Sequence, residues 1–503
     1  MANTGIKTLA KETAIYGVSS IVGKFLNWCL VPLYSYTVSE GDYGIVTFLY
    51  SVLAVAVIVL TYGMETGYFR FASHKTTEES NKVYTTTMTS IAATALLFVG
   101  IIALFKNEVS TMLDLPDYSN LVFLLAIIVA IDAFSSIPFS YLRFKQRPYM
   151  FMTIKLLMIA CNIFFNIFFL LICPKINQHN PELIAWFYNP NFKVGYIIIA
   201  NFLSSVVGLI ALLPFIFAAK WRFSFSLLKT MLKYSLPLLL LGIVGIMNQN
   251  VDKLLFPYIC KYAGIAKEVY QAELGVYGAC FKIAMVMMMF TYAFRFAYEP
   301  FVFAKKNSKE DRAVFATAMN YFVISTLFIY LALIAGLDIL SMLLKKNFSV
   351  AIGIVPFVLI TYFFQGVYYN LSLWYKKTDK TIWGTWFSLI GFTISLIINI
   401  LFIPKFSYWA CVFASLISFA VMMILCYALG QKYYPIKYDL KKIGIYTVFA
   451  MALSAPMLLV KMPNLALTLV WRIALVVPFV VYAIKKDIPI KEILHRKTKK
   501  DER

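Results

Sequence analysis

The stretch from Glu12 to Val38, ETAIYGVSSIVGKFLNWCLVPLYSYTV, is an apolar run with Lys24 near its middle, and its reading decides the fold. At about 1.5 Å of rise per residue, some 20 apolar residues cross the ~30 Å hydrocarbon layer, so the run is long enough to span a bilayer as a helix. On that helix Tyr16, Ser20, Lys24, Asn27 and Tyr34 form one polar stripe, because steps of three, four and seven residues return to the same face. Ile21, Phe25 and Leu26 face elsewhere. An ammonium at that depth is costly in lipid, which directs it toward protein or water and makes Lys24 a candidate functional residue. The plainer expectation is a carboxylate partner for helix packing.

The whole chain fits the same solvent. It is 61% hydrophobic and 14% charged, against roughly 45–50% and 25% in soluble domains, and it therefore reads as an integral membrane protein. A net charge of +22 in a soluble chain would suggest nucleic acid. Here the basic residues sit between apolar runs, where topology and an anionic leaflet account for them, so a nucleic-acid partner is rejected. Six of the seven cysteines lie in or beside apolar runs and only Cys260 approaches a loop, with neither metal-ligand spacing nor a disulfide framework. MANTGIKTLAKE leads straight into a full-length span, so the first helix is expected to remain in the mature protein.

Apolar runs bounded by charge or turn residues give about fourteen spans, from 12–38 to 467–484, too long and too apolar on every face for barrel strands. The expected fold is an all-α membrane protein. About 31 of the 46 basic residues fall in the even-numbered connections and the two tails, so both termini are expected in the cytoplasm. Matched features recur. Tyr43-Gly44 precedes Glu65 as Tyr277-Gly278 precedes Glu299, LRFKQRP from Leu142 resembles WYKKTDK from Trp374, and asparagines precede Pro174 and Pro404. These offsets predict two parallel six-helix halves, 1–225 and 226–435, followed by two helices over 436–485 and a basic cytoplasmic tail over 486–503.

The intramembrane charges carry the functional expectations. In the seventh span Asn248 and Asp252 share a face, as do Gln249 and Lys253, with a local Asp252–Lys253 pair snorkelling outward as the bland reading. In the eighth span Lys282 and Arg295 stand roughly 140° apart on an ideal helix, and Arg295 and Glu299 are i, i+4 neighbours suited to an ion pair. Asp132 is a candidate for proton or sodium exchange or for a packing hydrogen bond. Lys155 is expected to snorkel, and Asn162, Asn166 and Asn399 to act between helices. Glu65 and Arg70, too far apart along the helix to pair well, are candidates for a gate across helices. His74, His179 and His495 fall in loops or the tail, and the phosphate loop G-x-x-x-x-G-K-[ST] is absent, so neither catalysis nor direct use of ATP is expected. The buried charge leans positive, favouring an anionic ligand.

At this point LVPLYSYTVSEGDYGIVTF from Leu30, ETGYFRF from Glu65, YSLPLLLLGIVGIMNQNVDK from Tyr234, LGVYGACFKIA from Leu274 and INILFIPKFSYWAC from Ile398 are in view together. With them the chain resembles the Wzx-type oligosaccharide flippases, polysaccharide-biosynthesis members of the multidrug/oligosaccharidyl-lipid/polysaccharide exporter superfamily. It departs from that pattern after Pro404, where Ser407 and Trp409 stand in place of glycine and alanine. The resemblance implies alternating-access transport of an undecaprenyl-pyrophosphate-linked oligosaccharide, as in lipopolysaccharide, capsule or exopolysaccharide assembly, across a bacterial inner membrane. Substrate contacts are then expected at Lys24, Arg295, Lys253, Lys282 and Asn27, and gating or ion coupling at Asp132, Asp252, Glu65, Arg70 and Glu299. No cofactor beyond a coupled H+ or Na+ is implied; the expected partners are the lipid-linked oligosaccharide, membrane lipids and other polysaccharide assembly proteins. A multidrug cation antiporter and a membrane glycan polymerase are the competing readings, the second disfavoured by short outer loops.

Overall fold

The computed structural model describes residues 17–19, 21–73, 75–303, 309–460 and 462–487. Among them the regular structure is helical, without strands, and thirteen helices are long and apolar enough to cross a membrane. The chain is a multi-pass, all-α membrane protein. The first expected span lies partly outside the described residues; it contributes helix over 21–28, a turn at Cys29 and helix again over Leu30–Thr37.

In chain order the helices are α1 (21–28 and Leu30–Thr37), α2 (Glu40–Thr61 and Met64–Ala72), α3 (Thr77–Leu104), α4 (Ser119–Phe144), α5 (Pro148–Ile167), α6 (Lys193–Ile216) and α7 (Phe225–Tyr262). There follow α8 (Lys267–Phe303), α9 (Lys309–Ala335), α10 (Val355–Leu371), α11 (Ile382–Phe406), α12 (Tyr408–Tyr433), α13 (Leu440–Leu459) and α14 (Leu465–Lys486). Several starts are fixed by capping side chains. Ser39 accepts from the Asp42 amide at 3.1 Å, Thr76 and Glu79 make a reciprocal capping box, and Asn464 accepts from the Leu467 amide at 2.8 Å; each such cap contributes about 1 kcal/mol. Helix α2 breaks where Tyr62 and Gly63 turn left-handed, at φ 32° and 71°.

The packing has an internal rhythm. Helices α2, α3 and α6 pack on α4, and α6 also on α5; six helices later α8, α9 and α12 pack on α10, and α12 also on α11. Helices α13 and α14 pack on α9. The most extensive helix pair is α2 with α8, and the cause is local. A Cβ at Gly44 would collide with the Gln271 carbonyl, one at Gly275 with the Glu40 carbonyl, and one at Gly278 with the Thr47 hydroxyl. Small residues allow the two backbones to touch, which is how helices associate in a solvent that gives them no hydrophobic drive. This crossing sits at the end of the bundle that carries the odd-numbered connections.

The sharp α11–α12 junction explains the departure noted at Ser407. Its backbone stands at φ 51°, ψ −136°, a region that favours glycine, and its buried hydroxyl has no hydrogen-bond partner. A non-glycine residue there costs on the order of 1–3 kcal/mol. Ser407→Gly is therefore expected to raise the melting temperature of the purified protein in detergent by a few degrees; a lower melting temperature would contradict this account of the junction.

Candidate functional site

A cavity of about 750 Å³ lies within the α1–α6 group. It is walled by Lys24, Asn27 and Tyr34 of α1, Tyr50 and Glu65 of α2, Asp132, Ser135 and Arg143 of α4, Lys155 and Asn162 of α5, and Asn201 and Ser205 of α6, with Lys282 reaching in from α8. The described part of the α1 polar stripe thus faces this space. At one end Glu65 and Arg143 pair at 2.9 Å with side chains 40% and 38% exposed, so the cavity reaches the surface there. At the other end, beside the α2–α8 crossing, the α3–α4 connection is tied to α7 and α8 by Asp114, which accepts from Lys261 at 2.5 Å and from the Tyr270 hydroxyl. The Tyr258 hydroxyl also donates to the Met112 carbonyl at 3.1 Å.

The cations inside are carried by rings. The Lys24 ammonium stands 3.7 Å from the Tyr292 ring centroid, Lys155 stands 3.9 Å from Phe139, and Lys282 stands 5.2 Å from Tyr43. Among the described residues none of these three makes an ion pair with a carboxylate. A lysine at the centre of a spanning helix costs about 2.5–3.5 kcal/mol even on the mildest scale, whereas a desolvated cation–π contact returns about 2 kcal/mol. Water or an anion in the cavity can supply the remainder, and at Lys155 so can the nearby charges of Asp132 and Glu65. Around the cations the wall is polar and mostly satisfied: Asp132 accepts from Ser205 at 2.8 Å, Asn166 donates to Asn162 at 2.9 Å, Asn162 to Asn27 at 3.4 Å, and Asn201 to Tyr50 at 3.3 Å.

The structure separates the remaining sequence candidates. Lys282 and Arg295 lie on different sides of α8, as their angular offset requires. Lys282 lines the first cavity, and Arg295, 4.6 Å over the Tyr369 ring, lines a second one. Lys253 bonds Asp252 at 2.8 Å, and Tyr277 donates to the same carboxylate. Both residues are buried, at 8% and 3% exposure, so the pair does not snorkel outward, and neither lines either of these cavities. Glu65 pairs with Arg143 rather than Arg70, which stacks 4.1 Å over Tyr234 of α7. Lys155, expected to snorkel, turns into the cavity because Phe139 offers it a ring there. The Glu299 side chain lies outside what the structure describes. Sequence reading missed Arg143, Tyr50 and Asn201 as wall residues, and no spacing rule singles them out.

Residues 9–301 of the 503 match the family described as polysaccharide biosynthesis protein. The chain belongs to that family. No curated protein matches it. Among solved structures, the family fold seen here is similar to that of "Lipid II flippase MurJ, inward closed conformation", with a TM-score of 0.66 at 12% identity over 93% of this chain and 98% of the other. It is also similar to an inward-facing multidrug resistance MATE family transporter of the MOP superfamily, with a TM-score of 0.63 at 12% identity over 83% and 97%. A third is the MATE multidrug transporter DinF-BH, with a TM-score of 0.58 at 16% identity over 85% and 96%. At these identities the likeness is one of fold: an all-helical flippase or transporter architecture on a polysaccharide-biosynthesis chain.

The Asp114 contact makes a prediction about the closed end. Burial alone would raise its carboxyl, but hydrogen bonds from Lys261 and Tyr270 and the charges of Lys267 and Lys261 outweigh it and hold the group below its ordinary value. A carboxyl depressed in the folded state stabilises above its unfolded value, about 3.9, and loses that contribution as pH falls through the folded value. Asp114→Asn is therefore expected to increase maleimide labelling of the buried Cys260 at neutral pH, and to flatten the fall in melting temperature of the intact protein as pH drops below about 4. Unchanged labelling and an unchanged acid limb would show that this contact does not hold the end shut.

Proposed function

We propose that the chain is a flippase carrying an undecaprenyl-pyrophosphate-linked oligosaccharide from the cytoplasmic to the periplasmic leaflet of a bacterial inner membrane. The observation that supports this reading is the cation excess of the α1–α6 cavity. Lys24, Arg143, Lys155 and Lys282 face Glu65 and Asp132, and Glu65 is already engaged by Arg143. A pyrophosphate is the compact, strongly charged anion that such a set suits.

In this reading both termini are cytoplasmic, the odd-numbered connections are periplasmic, and residues 1–225 and 226–435 are halves that rock about the cavity. The repeated helix packing supports that division. The arrangement described is then shut toward the periplasm and reaches the cytoplasmic side at Glu65 and Arg143. The diphosphate draws Lys24 and Lys282 from their rings, the polyprenyl tail stays in lipid, and Asn27 and Asn162 offer hydrogen bonds to the glycan. Lys24 is the first contact for the diphosphate, with Lys282 behind it, and Arg295 reaches the substrate from the second cavity. Lys253 participates only if its pair with Asp252 opens. Asp132, bonded to Ser205 and facing the cavity, is better situated than Asp252 to couple a proton or sodium gradient. Arg70 on Tyr234 and Arg143 on Glu65 form the inner gate, while the Glu299 side chain expected to join them lies outside what the structure describes, and partner assembly proteins receive the product.

A multidrug cation antiporter would use the Asp132 carboxylate in the same cavity. The cations around it disfavour a cationic drug, and an Asp132→Asn variant assayed for drug efflux separates the two readings.

Loss of a charged hydrogen-bonding partner costs about 1.5–3 kcal/mol, roughly 10- to 100-fold in binding. Lys24→Ala and Lys282→Ala are each expected to lower surface glycan at least tenfold at normal expression, with Lys24→Arg retaining more than Lys24→Ala. Unchanged export by Lys24→Ala would refute the reading.

A further inference from the structure

A second cavity, of about 300 Å³, lies within the α7–α12 group. Its walls come from α7, α8, α10, α11 and α12, as those of the first come from α1, α2, α4, α5 and α6. The two are counterparts under the six-helix offset in packing, yet their chemistry has diverged. Among the described residues the first is lined by four cations and two carboxylates, whereas the second is lined by two cations, Arg295 and Lys376, and no carboxylate. Besides these cations, its polar surface is amide, hydroxyl and ring: Gln249, Ser372, Thr385 and Ser388 beside Tyr368 and Tyr369. The Thr385 hydroxyl is buried without a hydrogen-bond partner. At Gly245 an added Cβ would meet nothing within 4 Å, so the wall there faces open space.

A buried hydroxyl left unpaired by the protein can take its hydrogen bond from a ligand. Neutral donors and acceptors set among aromatic faces match a pyranose, which offers hydroxyls at its rim and C–H groups on its faces. The volume is at the bottom of the range for small-molecule pockets, suited to part of a glycan rather than a whole repeat unit. The site also stands in the right place. Tyr292 of α8 carries Lys24 of the first cavity, and Arg295, one turn along α8, lines the second, since residues three apart share a helix face.

We infer that the α7–α12 cavity is a saccharide site, seating sugar of the glycan while the diphosphate is held at the Lys24 side of the Tyr292 ridge. This rests on the flippase reading above and adds to it a division of labour between the two cavities: the first holds the diphosphate, and the second seats sugar among its amides, hydroxyls and rings.

The test uses the purified full-length protein in nanodiscs and two probes: lipid-linked oligosaccharide extracted from cells that make this protein, and synthetic undecaprenyl pyrophosphate without sugar. Retention of each is measured by native mass spectrometry. Wild type is expected to favour the glycosylated lipid by roughly tenfold, the scale of one or two hydrogen bonds. Gly245→Phe, which fills the open space, and Gln249→Leu, which removes a lining amide, are each expected to reduce that preference to about parity. Gly444→Phe, on α13 with nothing near its added side chain, keeps the preference and controls for bulk. If wild type binds both lipids and the preference survives in both Gly245→Phe and Gln249→Leu, the saccharide site is overturned while the flippase reading stands. If wild type retains neither lipid, the flippase reading falls and the saccharide site with it.

Discussion

Lysines held inside a membrane bundle without ion-pair partners among the described residues are the constraint on which the rest of this structure depends. Lys24, Lys155 and Lys282 rest on Tyr292, Phe139 and Tyr43, contacts too weak to offset the desolvation of an ammonium. The bundle therefore has to keep a polar space around them. It does so by leaving the helices apart over the cavity and crossing α2 and α8 tightly at one end, where glycines bring the backbones together. Closure at that end and charge in the cavity are two sides of one arrangement. Opening the α2–α8 end requires the Asp114 contacts to part, and an anion bound among the lysines is a means of biasing that equilibrium, provided it binds one state better than the other.

The fold class was fully legible from run length and composition, and the α1 stripe was legible from periodicity. Lys24, Asn27 and Tyr34 do line one cavity. The angle between Lys282 and Arg295, calculated from residue spacing alone, agrees with their lying against different cavities, although both were expected to contact one substrate. What periodicity does not carry is the identity of the neighbouring helix. It could not tell that Glu65 would meet Arg143 of α4 instead of Arg70, that Lys155 would find Phe139, or that Asp252 and Lys253 would be enclosed with Tyr277. Each of those outcomes is decided by how neighbouring helices pack. The aromatic partners were invisible for a different reason: in a chain with 44 phenylalanines and 33 tyrosines, a ring near a cation is no signal until the packing is known.

The repeated helix packing places a cavity in each group of six helices. In the proposed division into two halves each half supplies one cavity, and among the described residues carboxylates line only the first. A lipid-linked glycan, the proposed substrate, joins a charged diphosphate to neutral sugar. An asymmetric pair of cavities flanking one helix, α8, suits such a ligand better than it suits a compact cationic drug.

The most direct measurement is a cryo-electron microscopy map of the protein in nanodiscs with extracted lipid-linked glycan bound. The account predicts diphosphate density within the α1–α6 cavity, in contact with Lys24 and within reach of Lys282. Head-group density outside that cavity, with Lys24 still seated on Tyr292, would contradict it.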